Sequence, residues 1–338
     1  MISCLRRTGV AVVERHLGVW EDRRDAWRAG AAVAARLAAA EARLFARRPL
    51  TDVDAVIVGY PGHLDLPAAK RAARGRPVVF NPLVSLADTL VADRARFDAG
   101  SFAARALELV DRRAFASADL VVADTCAQAR FFARLTTTRV ATCFVGAEDG
   151  VFVPGWSDGG AFTVLFVGKL IPLHGVDVVL AAARLAPELR FRIIGSGQLE
   201  HLLRARPPNV EHRPWVAYRD LPRELHRAGC ALGIFGASAK AARVIPNKAF
   251  QALACGTPLV TADTPASREL LVDGDSALLV RAGDPPALAA ALRRIAADAS
   301  LRQRLSRGGR RVYEHHASED ALGRRWRALL ERLIAGGA

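Results

Sequence analysis

Two stretches in the second half of the chain carry residues suited to holding a phosphate. In FVGKLIPLHGVDVV an apolar run ends at Gly168, a loop carries Lys169 and His174, and a helix-period stretch begins after Gly175. A glycine at the end of a strand lets the backbone approach a ligand, and a following helix N-terminus points unpaired N–H groups at an anion. Lys169 and His174 would add positive charge for a diphosphate. The plainer reading is a tight strand-to-helix turn with two solvated side chains. In RVIPNKAFQALACG, Pro246 and Asn247 open a helix whose first turn holds Lys248, with Gln251 one turn on. Only four of the 48 basic residues are lysines, namely Lys70, Lys169, Lys240 and Lys248. A lysine among so many arginines hints at a compact point charge at position 248. Between these stretches, FRIIGSGQ offers Gly195 and Gly197, for which a simple turn and a ligand contact fit equally well.

The first half is less pointed. VGYPGHLDLP follows an apolar run, and its Gly62 and His63 would face a ligand cleft or, on the plainer reading, water. Asn81, Ser85 and Asp88 follow the next run in the same manner. Asp273-Gly274-Asp275 imitates a metal-binding pair of aspartates, but it sits in a turn before ALLV, so no metal is expected there. Five cysteines without a C-x-x-C pair argue against a zinc site or a disulfide framework and fit a reducing cytoplasm. No strand leads into a full G-x-G-x-x-G, which argues against a nicotinamide dehydrogenase. No cofactor is expected.

These loops need strands behind them, and the chain supplies short apolar runs alternating with helix-period stretches. The strand candidates are 10–14, 55–59, 77–80, 120–124 and 142–146, then 163–168, 191–195, 231–236, 258–262 and 277–280. Most are continuous rather than alternating, as in strands buried on both faces of a parallel sheet. PGWSDGGA at 154–161 reads as a linker. The expected architecture is α/β, with two Rossmann-like domains facing across a cleft. The first spans 1–155 and the second 156–315; a final helix at 316–338 crosses back to the first. Asp284-Pro285 and Ser318-Glu319-Asp320 read as helix starts.

With 338 residues, 51% hydrophobic and 24% charged, the chain is long enough for two cores. No apolar run is long enough to span a bilayer. The N-terminal residues are neither a signal-peptide core nor a transit peptide. The net charge of +14 suits an anionic partner, and the excess concentrates at 1–50, 201–250 and 301–338. A solvated arginine surface is the competing reading. The stretch 20–48 places Arg28, Arg36, Arg43 and Arg47 close to one helical face beside Trp20, Trp27 and Phe45, which would suit an anionic membrane surface. No helix-turn-helix, RNP-type or zinc pattern points to nucleic acid.

VGKLIPLHGVDVVL, IGSGQLEHLL, PNKAFQALACGTPLVT, ASRELL and DGDSALLVRAGDPPALAAAL, in this order over roughly 162–310, resemble the nucleotide-sugar-binding domain of family-4 glycosyltransferases, retaining enzymes of the GT-B fold and bacterial group 1 type. ADLVVADTCAQARFF and FVGAEDGVF resemble the end of that family's first domain, and VGYPGHLDLP and VFNPLVSLADTL its cleft loops. The resemblance implies that a sugar passes from a nucleotide-diphosphate-sugar to an acceptor hydroxyl without a metal. It implies donor contacts from Gly168, Lys169, His174, Gly195, Gly197, Lys248, Gln251 and Glu269, with Gln251 on the ribose. Acceptor-side residues would be His63, Asn81, Ser85 and Asp88, and catalytic positions His63, Lys169 and Arg243. The family's usual Arg and Lys are here Lys169 and His174, and its two glutamates are Arg243 and Gln251. The family's first strand and glycine-rich loop have no match before residue 10, so the first domain is expected to lack that strand. The expected partners are a nucleotide-sugar, an acceptor glycan or lipid-linked acceptor, and an anionic membrane surface. The expected place is the cytoplasm or the inner face of the cell membrane. The alternative is a non-catalytic relative that binds nucleotide-sugar or acts as a scaffold.

Overall fold

A computed structural model describes residues 1–19, 31–155 and 161–336. Its contacts divide the chain into two units. One comprises Ile2–Asp124, Gln128–Cys143 and Gly323–Ala338, the other Thr125–Ala127 and Phe144–Leu322. The boundary therefore falls before Phe144, ahead of the expected residue 155. Phe152 lies in the second core, and Phe144, Val145 and Val151 pack against it, so this segment buries its apolar side chains there.

The first unit contains α1 (Ile2–Arg7), α2 (Ala31–Ala46), β1 (Val56–Val58), α3 (Leu66–Ala73), β2 (Val78–Phe80), α4 (Phe102–Ser117), β3 (Leu120–Ala123), all but the first two residues of α5 (Cys126–Phe132), and β4 (Val140–Thr142). The four strands are parallel in the order β1-β2-β3-β4. Val58, Phe80, Phe115, Val121 and Phe132 form the core. The VAVVE segment is not a strand, although its composition suggested one. Its residues alternate between exposed and half-buried, and Glu14 is drawn back to Arg6 of α1 at 2.7 Å. Residues 156–160 of the linker expected at 154–161, and Trp20, Trp27 and Arg28 of the basic stretch, lie outside the described residues.

The second unit holds β5 (Thr163–Val167), α6 (Val176–Leu185), β6 (Arg190–Ile194), β7 (Val210–Arg213), α7 (Leu221–His226), β8 (Cys230–Leu232), α8 (Asn247–Cys255), β9 (Leu259–Ala262), β10 (Leu278–Val280), α9 (Pro285–Ala297) and α10 (Ala299–His316). Six parallel strands run in the order β10-β9-β8-β5-β6-β7. Counted from β5, this is the doubly wound order whose direction reverses between its first and fourth strands. Ligands in such sheets sit beyond the carboxyl ends of the strands at that reversal. The reversal lies between β5 and β8, and β5 leads directly into Gly168. β7 escaped the sequence reading because VEHR is polar; it is an edge strand paired only to β6.

Helix starts follow local chemistry. Asp284 Oδ1 accepts the Ala287 N–H at 2.9 Å, and Pro285 occupies the first helical position of α9. The last helix, α11 (Glu319–Ile334), begins after Ser318, whose Oγ accepts the Ala321 N–H. From Gly323 onward α11 clusters with the first unit. A Cβ on Gly323 would stand 2.3 Å from the Cys4 carbonyl, so only glycine lets α11 lie this close to α1.

Candidate functional site

The end of β5 brings three of the expected residues together. Gly168 has φ +134, and its N–H donates to the Ile194 carbonyl at 2.9 Å. An added Cβ would point at His174 Cε1, 3.4 Å away, and at Lys248 Nζ, 3.7 Å away. The empty side of Gly168 therefore looks onto two basic groups. His174 ends the short helical turn Pro172–His174. Its Nδ1–H donates to the Lys169 carbonyl, which fixes the tautomer and leaves Nε2 as the nitrogen whose protonation sets the charge. Lys169 itself is exposed.

Lys248 sits in the first turn of α8 with only 8% of its surface exposed. Its Nζ lies 3.6 Å from the centroid of the Phe166 ring and has no hydrogen-bond partner. The ring face attracts a cation by about 2 kcal/mol when both are desolvated. Burying an unpaired ammonium costs several kcal/mol. Desolvation wins, and it holds the Lys248 amine well below the ordinary lysine range. A phosphate brought to Gly168 would meet the missing counter-charge.

Gly195 and Gly197 are required by packing between two loops. A Cβ on Gly195 would fall on the Gly168 carbonyl, and one on Gly197 would stand 2.8 Å from the Leu170 carbonyl. With φ of +146 and +151, both let the loop after β6 press against the loop after β5. They shape Gly168's surroundings through backbone packing. Gln251 hydrogen-bonds the Tyr218 hydroxyl. Tyr218 in turn packs edge-on against Phe152, with centroids 5.4 Å apart.

The remaining expected donor residues stand elsewhere in the second unit. Arg243 closes the turn Ala241–Arg243, and its carbonyl accepts the Thr125 hydroxyl at 2.5 Å. Glu269 has a helix-end role: its two carboxylate oxygens accept the N–H groups of Cys126 and Ala127 at 2.6 and 2.7 Å, the first two residues of α5. Asp273 Oδ1 likewise accepts the Leu279 N–H at 2.8 Å, and Asp275 lies 3.6 Å from Arg311, so this aspartate pair stabilises its turn.

In the first unit three of the expected acceptor-side residues, His63, Asn81 and Ser85, are interior, and Asp88 is half-buried. The His63 side chain is 1% exposed, with Nε2 3.1 Å from Asp111 Oδ1 and its ring edge-on to Phe80 at 5.1 Å. It meets neither water nor an open loop surface. Asp111 also accepts Ser85 Oγ–H at 2.6 Å and the N–H groups of Leu86 and Ala87 at 2.8 and 3.0 Å. Burial pushes its carboxyl up, but the hydrogen bonds from His63, Ser85, Ala87 and Leu86 outweigh this and hold it below the usual aspartate value. Asn81 Nδ2–H donates to the Val122 carbonyl at 2.9 Å, and the Asp88 N–H donates to Ser85 Oγ at 3.0 Å. Asp111, met by His63 from one side and by Ser85, Leu86 and Ala87 from the other, ties together the loops after β1 and β2. Sequence reasoning missed Asp111, Phe166 and Tyr218. Asp111 did leave a signal, since it shares the buried stripe of α4 with Ala104, Ala114 and Phe115.

Residues 161–298 match the family described as Glycosyl transferases group 1. A D-inositol 3-phosphate glycosyltransferase of Thermomonospora curvata is 31% identical over 266 residues, 67% of this chain and 58% of that protein. A phosphatidyl-myo-inositol mannosyltransferase of Mycobacterium leprae is 33% identical over 157 residues, 44% of this chain and 40% of that one. The chain thus spans little more than half the length of the first of these relatives. Among solved structures, sucrose-phosphate synthase of Thermosynechococcus elongatus superimposes with a TM-score of 0.72 at 17% identity, covering 93% of this chain and 80% of that one. HepE of Anabaena, solved with UDP-glucose, gives 0.65 at 17% identity over 81% and 78%. Residues 161–298 are therefore a group 1 glycosyl transferase domain, carried by a chain with the GT-B fold.

Proposed function

We propose that the protein is a glycosyltransferase that moves a sugar from a nucleotide-diphosphate-sugar to an acceptor hydroxyl, with retention at the transferred carbon. The single observation that carries this reading is Lys248, a buried amine without a partner beside the bare face of Gly168 and the ring of His174. A diphosphate placed there supplies what Lys248 lacks. Lys169 and His174 add charge from the loop, and α6 begins just beyond Gly175 with no side-chain cap on its first turn. Basic side chains and a helix end then stabilise the leaving diphosphate in place of a metal ion. Gln251 takes the ribose hydroxyls in place of the family's glutamate, since an amide both accepts and donates. Acceptors in keeping with the basic surface are glycans or lipid-linked sugars in cell-surface polysaccharide or glycolipid synthesis. We place the protein in the cytoplasm, held reversibly at the inner face of the membrane.

A second reading, a non-catalytic nucleotide-sugar binder, rests on Arg243 and Gln251 standing where the resemblance places the family's two glutamates. Thermal shifts with UDP, GDP and ADP and their sugar conjugates, followed by a donor-hydrolysis assay, test both. A ligand at 100 times its Kd stabilises the fold by about 2.7 kcal/mol. Stabilisation with turnover supports the transferase, stabilisation without turnover the binder, and no shift with any nucleotide overturns both.

A further inference from the structure

The donor site as read above has an unusual resting state. Lys248 Nζ is buried, touches the face of Phe166 and has no hydrogen-bond partner. The bare side of Gly168, 3.7 Å away at its would-be Cβ, is the direction from which an anion would reach it. We propose that Lys248 is stored as a neutral amine and takes one proton from solvent when a diphosphate settles against Gly168, so that donor binding is coupled to proton uptake. The proposal rests on the donor-site reading and adds to it how that site responds to pH.

The surroundings leave Lys248 as the group that changes charge. Burial alone pulls its amine down, with no carboxylate to restore it. On the loop side stand Lys169, which is exposed, and His174. Along α8 stand Gln251, which bonds Tyr218, and Cys255, whose thiol burial pushes up to about 12. Of the elements packed against α8, α7 offers Glu224, already paired with Arg192 at 2.9 Å and Arg213 at 3.2 Å. From α10 comes Arg310, paired with Glu314 at 2.7 Å. β8 offers only the Cys230 thiol, kept protonated by burial. A diphosphate would be the first anion to meet Lys248, and its charge reverses the balance that keeps the amine neutral. The proton comes from water or buffer and stays on Nζ while the diphosphate is bound. Donor affinity then falls as pH rises, and product release returns the proton.

The scarcity of lysine makes the test direct. With 13Cε-labelled lysine the protein gives four side-chain signals, and that of Lys248 is displaced by the Phe166 ring and assigned by its loss in Lys248→Met. At pH 8, the free protein should show Lys248 as neutral amine. Adding inorganic pyrophosphate or UDP should move only Lys248 to the charged position. Calorimetry at pH 8 in HEPES and in Tris should report uptake approaching one proton per diphosphate, retained in His174→Gln and lost in Lys248→Met. Should Lys248→Met fail to fold, the wild-type titration decides alone. A charged Lys248 in the free protein overturns the proposal. So does diphosphate binding without linked protons, or uptake that disappears with His174→Gln and survives Lys248→Met. If neither pyrophosphate nor any nucleoside diphosphate binds, the donor-site reading falls and takes the coupling with it.

Discussion

Lys169 and Lys248 flank the same glycine but work against different backgrounds. Lys169 is exposed, so its charge costs the fold nothing and its attraction for phosphate is shared with water. Lys248 is buried without a partner, so its amine costs the fold until a ligand arrives. The two substitutions should therefore separate stability from binding. Lys169→Ala should weaken pyrophosphate binding by about tenfold, the loss of one charge-assisted contact, with Tm unchanged. Lys248→Met should raise the stability of the free protein by about 1–2 kcal/mol, because a thioether tolerates that pocket better than an amine. It should also bind pyrophosphate more weakly than Lys169→Ala does. Calorimetry and thermal melts on the two variants check both halves; a Lys248→Met protein that melts lower than wild type would place the amine in a structural contact. The identities of these residues were readable in the sequence, because a glycine at a strand end and a lysine at a helix start stand out. Their contact was not. Phe166 and Lys248 meet only after β5 and α8 pack, and no local pattern records that pairing.

Elements set the positions of these side chains, and two joints between elements are open to test. The first is the crossing of the loops after β5 and β6. Gly195→Ala would drive a Cβ into the Gly168 carbonyl at φ +146, and backbone must move to admit it. The cost should be about 3 kcal/mol, and pyrophosphate binding should fall with it because Gly168 is displaced. Unfolding in urea and calorimetry measure the two effects, and normal values for both would mean that the loops are not in close contact. The second joint is Asp111, which gathers the loops after β1 and β2. Asp111→Ala leaves Ser85 Oγ and two backbone N–H groups without their acceptor, at about 3 kcal/mol. The pH dependence has a definite sign. The folded carboxyl titrates below its unfolded value, so the stability it confers is complete above the unfolded value, near 4, and is lost as pH falls through the folded one. Asp111→Asn should flatten that acid limb in melts between pH 5 and pH 2.5. An unchanged limb would assign it to other carboxylates. The strands of both units were legible as continuous apolar runs, whereas VAVVE misled by composition and VEHR hid by polarity. An edge strand owes its place to backbone pairing with its neighbour, which side-chain pattern does not reveal.

At the scale of the whole molecule the dominant quantity is charge. The chain carries 48 basic and 34 acidic groups, and no helix among the described residues is long and apolar enough to cross a membrane. In α2 and just beyond it, Arg36, Arg43 and Arg47 are exposed at spacings of seven and four, which puts them on one helical face. Phe45 beside them is 49% exposed, its ring covered in part by Arg71 at 5.2 Å. Elsewhere in the chain, Arg304 and Arg307 of α10 and Arg324 and Arg332 of α11 are exposed too. A solvated face of this kind and a membrane-docking face look alike in isolation, so the response to salt must separate them. Each basic residue held near an anionic bilayer contributes about 1 kcal/mol, and the attraction fades beyond about 10 Å at 0.1 M salt. The protein should therefore co-sediment with vesicles containing anionic lipid at low salt, release at high salt, and ignore neutral vesicles throughout. Changing Arg36, Arg43 and Arg47 together to glutamate should remove most of this binding, because three positive charges become three negative ones on one face. The same variant should bind pyrophosphate as the wild type does, since none of the three belongs to the unit that holds Lys248. Equal recovery in the supernatant under every condition would mean that these arginines only solvate the surface, and the acceptor would then be sought among soluble glycans.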